Sequence, residues 1–312
     1  MIEVLRSKKS AAVKKALTAY AEELPDDAVL PLYVFFRYAH DAKHRKTAGE
    51  ILKKHGPAGV GDMVRQKLPM AKCKADKLEA YLALHQGSGL DPVELAFECM
   101  WWARKRPQMA KFQQHDGGLG AAGLFGHPDE TVRRRALEFL VEGGSLKLAD
   151  QALTALPDEL AEFTDLHTVD LRMNKFSKSR YPAVLGRLPN LRKLLLTGNG
   201  MSGLPSQFSQ LNLEELDLWG NPLKKDPTPL ASMKSLRRLN LGSTKLTSFP
   251  SSILELPDLE ALEVQYNAFT DVPVEIARLT KLRKLVLPKS AKKAAVGVRQ
   301  ALPDCNVKVD RY

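Results

Sequence analysis

The sequence has few cysteines and no long apolar runs, and each shortage excludes a class of protein. Its 312 residues include 3 Cys, 20 Gly and 19 Pro, too few for disulfide-rich or collagen-like chains. No run of about 18 apolar residues occurs, so no transmembrane helix and no membrane partner is expected. The basic N-terminus lacks the apolar stretch of a secretory signal. Cys73, Cys99 and Cys305 form no CxxC pair, which predicts reduced thiols in a cytoplasmic protein.

The charge is unbalanced but spread out. The chain has 47 Lys and Arg against 36 Asp and Glu, a net charge of +11. Counting along the sequence divides this excess into +5 before residue 146 and +6 after it. A nucleic-acid-binding protein usually gathers its positive charge on one stripe, tail or domain. The spread therefore favours a mixed-charge surface, with 44% hydrophobic residues supplying the interior of one large or two modest domains.

One pattern, LxxLxLxxN-x-L, recurs through the second half of the chain. Successive units begin 25, 22, 23, 23 and 23 residues apart, at Leu166, Leu191, Leu213, Leu236, Leu259 and Leu282. The alternating LxL predicts a short parallel strand with leucine pointing inward, and one turn buries its apolar side only by stacking on its neighbours. The asparagine lies at the following bend, with Thr244 replacing it in one unit.

This pattern, with Leu-Pro pairs such as Leu204-Pro205 in the second half of most units, resembles the leucine-rich repeat family. It is similar to the 23-residue LPxxI type common in bacterial proteins. The resemblance covers residues 146–312 and implies a solenoid of six or seven turns with a parallel concave sheet. A helix over 290–301 and a strand at Val307 and Val309 are expected to close its end. The longest unit should bulge on the convex side at Lys178-Ser179-Arg180.

Residues 1–145 show helical rather than strand periodicity, so the predicted fold class is α + α/β. The segment 127–140, with Val132, Ala136 and Leu140 on one side, resembles the second helix of a HEAT repeat. We therefore predict an all-helical HEAT-like or capping domain over 1–145 and the repeat domain over 146–312. The helices are expected at Ala11–Glu23, Ala28–His40, Ala42–His55, Ala58–Lys67, Lys74–His85, Pro92–Lys105 and Glu130–Glu142.

Three motifs contain residues of the kinds found in cofactor, metal or catalytic sites. None of them predicts an enzyme, a cofactor or a metal. Residues 118–123 match GxGxxG, but no buried strand precedes them, as a dinucleotide site requires. His40 and His44 lie four apart on a helix without a third ligand. Cys73 lies in CKAD, one residue longer than the CxD motif of bacterial ubiquitin ligases, which also combine helices with leucine-rich repeats.

The alternative is a nucleic-acid-binding helical domain fused to a repeat module. Basic clusters occur at 104–106 and 133–135, and the pair Trp101-Trp102 precedes the first. HEAT-like bundles include a DNA glycosylase family with a basic, tryptophan-bearing groove, and the resemblance to that family is generic. A tryptophan at helical spacing is more typical of a core than of a stacking platform. The residues therefore favour a nucleic-acid partner less than a protein partner.

The positions between the inner leucines project onto the concave sheet and predict the binding face. Trp219 is expected to lie exposed near its middle, where no repeat position needs an aromatic residue. The competing interpretation is that its ring covers Leu195. The predicted function is a non-enzymatic scaffold or adaptor whose concave face binds a protein. The predicted contact residues are Arg172, Lys193, Glu215, Asp217, Trp219, Arg238, Asn240, Glu263, Gln265 and Tyr266.

Overall fold

The computed structural model describes residues 2–7, 9–39, 41–66, 82–105 and 121–310. The chain divides into two compact units, Met1–Val132 and Arg133–Tyr312. The predicted boundary between residues 145 and 146 lies inside the second unit. His40, Cys73 and most of the predicted helix over 74–85 lie outside the described residues, as do positions 118–120 of the glycine motif.

The first unit is helical in its described residues. Helix α3 lies at its centre, packs against α4 and α6, and buries Leu32, Tyr33 and Val34 completely. Helices α4 and α6 have the predicted bounds, and Asp41 caps α4 by accepting a hydrogen bond from the backbone N–H of His44 at 2.9 Å. The helices are α1 (Ile2–Leu5), α2 (Ser10–Glu22), α3 (Asp26–Tyr38), α4 (Ala42–His55), α5 (Ala58–Arg65) and α6 (Pro92–Lys105), with 3₁₀ turns at Gln86–Ser88 and Ala121–Gly126.

The junction with the repeats is a hairpin rather than a continued helix. Helix α7 spans Glu130–Leu140, and strands β1 (Val141–Glu142) and β2 (Ser145–Lys147) then pair in antiparallel fashion. The prediction of helix through residue 142 is wrong at this end. Gly143 and Gly144 have φ values of 53° and 68°, the two positive angles that a tight two-residue hairpin turn needs. Their flexible backbone therefore stops the helix and reverses the chain.

The second unit is a solenoid whose strands form one nine-stranded sheet in sequential order. Every pair from β2 to β9 is parallel and in register, so that Leu194, Leu216 and Leu239 form a buried row. The predicted fold class is confirmed. The remaining strands are β3 (Thr168–Asp170), β4 (Lys193–Leu195), β5 (Glu215–Asp217), β6 (Arg238–Asn240), β7 (Ala261–Glu263), β8 (Lys284–Leu287) and β9 (Asn306–Val309).

The opposite side of each turn is a short 3₁₀ helix. The 25-residue unit has an additional one at Lys178–Arg180, at the residues where the sequence predicts a bulge. At the C-terminal end, a 3₁₀ turn at Lys289–Ala291 and helix α8 (Ala294–Ala301) precede β9. The other 3₁₀ helices are Asp158–Glu162, Ala183–Arg187, Ser206–Gln210, Thr228–Ser232, Ser251–Glu255 and Val274–Arg278.

Buried asparagines join successive turns. Asn221 donates to the carbonyls of Leu196 and Leu218 at 2.9 Å each and accepts from the backbone N–H of Met201 at 3.2 Å. Asn174, Asn199 and Asn267 make equivalent bonds. The Thr244 hydroxyl donates to the Leu241 carbonyl of its own turn at 2.6 Å and lies 3.2 Å from the Asn267 side-chain oxygen of the next turn. The hydroxyl thus replaces part of the amide's bonding and omits its bond to the preceding turn.

Candidate functional site

The concave face consists of three rows of side chains that run across strands β3 to β8. The pairing of the strands aligns the residues of the first two rows. The residues of the third row come two positions after those of the second row in the sequence. The first row is Thr168, Lys193, Glu215, Arg238, Ala261 and Lys284. The second is Asp170, Leu195, Asp217, Asn240, Glu263 and Val286. The third is Arg172, Thr197, Trp219, Gly242, Gln265 and Pro288.

The first row places charges of alternating sign next to each other. Glu215 lies between Lys193 and Arg238, with closest N···O distances of 2.7 and 3.1 Å. Burial raises the pKa of Glu215, but hydrogen bonds from the two cations lower it by more, so its pKa lies below the ordinary value. Lys284 pairs in the same way with Glu263 of the second row. The predicted site residues in this part of the face are thus brought together, and their cations are already engaged.

The second row closes the ends of the strands. Asp217 accepts a hydrogen bond from the backbone N–H of Trp219 at 2.9 Å, and Asn240 accepts one from Gly242 at 3.0 Å. Asp170 does the same for Arg172 at 3.1 Å and also pairs with its guanidinium at 2.6 Å. An aspartate or an asparagine serves equally well at this position because both have an acceptor oxygen at the same place.

The third row contains an aromatic pair. The Trp219 ring lies against Gly242, where an added Cβ would meet two ring carbons at 2.2 Å. Its centroid is 5.4 Å from that of Tyr266, with a ring angle of 78°, the edge-to-face arrangement that aromatic pairs prefer. Trp219 is therefore half-buried rather than exposed, and it leans toward β6 and β7 and not over Leu195. Gly242 gives it that space, a partner that repeat spacing alone did not identify.

The residue before each ladder position has a left-handed backbone. Glycine occupies two of these positions, Gly198 and Gly220, with φ of 67° and 69°. Met173 and Tyr266 adopt φ of 56° there and remain 58% and 47% exposed, which is uncommon for large side chains. Such strain often accompanies a surface that has another use. Both side chains follow the C-terminal ends of their strands, as Trp219 does.

Three of the side chains that suggested nucleic acid, Arg133, Arg134 and Trp101, are engaged within the chain. In the repeat unit, Arg133 bonds Glu159 through two nitrogens at 2.6 and 3.0 Å, and Arg134 bonds Glu162 at 2.8 and 2.9 Å. These hydrogen bonds lower the pKa of both glutamates. In the helical unit, the Arg6 guanidinium lies 4.5 Å from the centroid of the Trp101 ring. The described residues thus give no support to the nucleic-acid alternative.

The described residues contain neither a candidate metal site nor a candidate membrane span. No group of three or more His, Cys, Asp or Glu is placed to hold a metal ion in the part of the chain that the structure covers. Within the same residues, no helix combines the length and the apolar character needed to cross a membrane.

Comparisons with known proteins agree with the geometry. A family model described as leucine-rich repeat matches residues 211–269. The chain is 34% identical over 125 residues to a probable inactive serine/threonine-protein kinase, roco10, of Dictyostelium discoideum. That match covers 38% of this chain and 5% of the kinase. The matched segment is therefore a small part of this curated relative.

Two solved structures are similar to part of this chain. One is a leucine-rich repeat protein of Leptospira interrogans, which is 29% identical in sequence and has a TM-score of 0.46. The match covers 53% of this chain and 48% of the Leptospira chain. The other is internalin C2 of Listeria monocytogenes, with 20% identity, coverage of 57% and 76%, and a TM-score of 0.45.

The family match and the in-register parallel strands with their asparagine ladder define the class of protein. The second unit is a leucine-rich repeat domain. Domains of this class are generally protein-interaction modules rather than catalytic ones, and their extended concave sheets are typical binding surfaces. The HEAT-like character of the helical unit stays a prediction.

Proposed function

We propose that the protein is a non-enzymatic scaffold or adaptor of the cytoplasm, and that the concave face of its repeat domain binds a protein partner. The observation that carries this proposal is the Trp219–Tyr266 pair at the middle of the sheet. Tryptophan, tyrosine and arginine dominate the energetics of protein interfaces, and they do so best near the centre of a patch. Arg238 on the neighbouring strand adds the third of these residue types.

The rigidity of the aromatic pair supports this role. Trp219 is held by Gly242 below it and by Tyr266 beside it, so little side-chain freedom remains to be lost on binding. Around it, Arg172, Lys193 and Arg238 are held in ion pairs within the sheet. A protein partner with both acidic and basic groups fits this surface of mixed charge better than a run of phosphates does. Phosphates would have to compete with the carboxylates of the face for its basic side chains.

The remaining predicted contact residues extend the same surface. Asn240, Glu263 and Gln265 lie half-buried beside the aromatic pair, and Gln265 donates to Glu263 at 3.3 Å. Such polar side chains around an anchor exclude water more than they add affinity. We therefore expect substitutions at these three positions to weaken binding less than substitution of Trp219.

Quantitative pull-down with the full chain tests the proposal. The double variant Trp219→Ala/Arg238→Ala removes the aromatic anchor and a basic side chain of the first row on the next strand. A matched control, Val274→Ala/Arg278→Ala, removes an apolar and a basic side chain from an exposed 3₁₀ helix away from the sheet. We expect the concave-face variant, but not the control, to lose at least about tenfold of the specifically retained protein.

Folding is checked in the same preparation by circular dichroism. Trp219 contacts Gly242 and Tyr266, so its removal should lower the melting temperature by a few degrees and leave the spectrum unchanged. Retention of the same proteins by both variants would refute the concave-face proposal.

A further inference from the structure

The carboxylates of the concave face differ in one respect. Asp170 pairs with Arg172, Glu215 with two cations, and Glu263 with Lys284. Asp217 makes no ion pair within 4.0 Å among the described residues, and its neighbours across the sheet in the second row, Leu195 and Asn240, are uncharged. Among the described residues, its side chain accepts one hydrogen bond, from the Trp219 backbone. Arg172 is near enough for Asp217 to help raise its pKa, but its guanidinium pairs directly with Asp170. The centre of the face therefore contains a half-buried negative charge without a cation in direct contact.

An aromatic surface lies beside this charge. Asp217 ends β5, and Trp219 follows two residues later in the turn. The buried Leu218 lies between them, so both side chains lie on its opposite side, about 7 Å apart for extended backbone. A cation stacks on a tryptophan within about 6 Å of its centroid. A single guanidinium or ammonium group between the two side chains can therefore contact both the carboxylate and the ring.

The helical unit contains this arrangement already. The Arg6 guanidinium pairs with the Glu98 carboxylate and lies 4.5 Å from the centroid of the Trp101 ring. Glu98 and Trp101 are three residues apart on α6, so that carboxylate and that ring share one side of a helix. On the concave face, Asp217 and Trp219 supply the same carboxylate and the same aromatic ring. The cation that would complete the arrangement is not supplied there by a direct contact within the described residues.

We infer that the partner places an arginine or lysine side chain between the Asp217 carboxylate and the Trp219–Tyr266 pair. This inference rests on the proposed function and names the chemistry that the face recognises. An acidic or phosphorylated segment is excluded from this position, since it would meet Asp217 with a charge of the same sign. A purely apolar anchor would leave the Asp217 charge unsatisfied in a dry interface, at a cost to affinity.

The substitution that tests the inference is Asp217→Asn. Asparagine keeps the acceptor oxygen that receives the Trp219 N–H, as Asn240 does for Gly242 on the next strand at 3.0 Å. The charge is thus removed and the bond that closes the strand is kept. Glu275→Gln is the matched control, because Glu275 is exposed on the 3₁₀ helix Val274–Arg278 and the change in charge is the same.

The assay selects peptides from a random twelve-residue display library on the full-length protein. Binding of selected peptides is then measured against the wild type, both charge variants and Trp219→Ala/Arg238→Ala. We expect peptides with a shared arginine or lysine. Replacing that residue by glutamine should weaken binding to the wild type and to Glu275→Gln by about five- to tenfold, but weaken binding to Asp217→Asn by less than about twofold.

Two other results separate the inference from the proposed function. The selected peptides could depend on Trp219 and Arg238 and yet share no basic residue. Alternatively, replacing their basic residue by glutamine could weaken binding equally to the wild type and to Asp217→Asn. Either result would overturn the inference and leave the concave-face proposal standing. A library that yields no peptide dependent on Trp219 and Arg238 would contradict both.

Discussion

Replacing Asn221 by alanine should destabilise the repeat domain far more than its small change in volume suggests. The side chain is fully buried and makes three hydrogen bonds of 3.2 Å or less, which join its own turn to the preceding one. Alanine makes none of them. The carbonyls of Leu196 and Leu218 keep other donors, from Asn199 and from the backbone of residue 221, but the buried N–H of Met201 loses its acceptor.

The magnitude follows from these bonds. Each hydrogen bond contributes about 1 kcal/mol net, and a buried donor without a partner costs about 1–3 kcal/mol. The total loss is about 3–5 kcal/mol, a large part of the stability of an ordinary domain, which is about 5–15 kcal/mol. Because each turn is stabilised by its neighbours, the loss should appear in the turns on both sides of the substitution.

Native-state hydrogen exchange followed by mass spectrometry measures this effect turn by turn. Amides in strands β4 to β6 should exchange roughly 150- to 5,000-fold faster in Asn221→Ala, since each 1.4 kcal/mol is a factor of ten. The helical unit serves as the internal reference. Asn190→Ala is the matched control, because Asn190 is exposed and makes one bond, to the Thr164 carbonyl at 3.0 Å. Equal acceleration in the two variants would refute the role given to the ladder.

Three further predictions concern other parts of the repeat unit. Thr244→Asn should raise the free energy of unfolding by about 0.5–1 kcal/mol in urea titrations, because an amide can also reach the Leu218 carbonyl of the preceding turn. Tyr266→Gly should relieve left-handed strain but lose the ring contact with Trp219, so thermal melts should change little while partner binding weakens. The pKa of Glu159 is lowered by Arg133, so its contribution to stability is complete above the unfolded pKa near 4.5 and is lost as the pH falls through the lower folded value. Urea titrations of wild type and Glu159→Gln should therefore differ above pH 5, and the difference should shrink as the pH falls below 4.5.

The repeat sheet was predictable because its cause is local and periodic. Each LxL segment alternates inward leucine with outward polar residues, and the same alternation recurs about every 23 residues. Strands β3 to β8 therefore lie where the pattern predicts them. The bounds of α4 and α6 were predictable for a similar reason, since Asp41 and Asp91 precede their first turns.

The geometry of the candidate site was not predictable from the pattern. The position of Trp219 depends on Gly242, 23 residues later, which becomes its neighbour only when the register of β5 and β6 is known. The charges of Lys193 and Arg238 were visible, but their sharing of Glu215 is a contact across three strands. A local signal was overlooked at Gly143-Gly144, where a hairpin turn competes with the helical pattern of residues 130–140.

Site-specific photo-crosslinking tests the central claim most directly. A benzophenone amino acid placed at Asn240, beside Trp219 on the concave face, is compared with one placed at Val274, which is 82% exposed on a 3₁₀ helix away from the sheet. Binding through the concave face predicts a crosslinked protein partner from position 240, lost when Trp219→Ala is added, and none from position 274. Crosslinking of the same partner from position 274 alone would contradict the account.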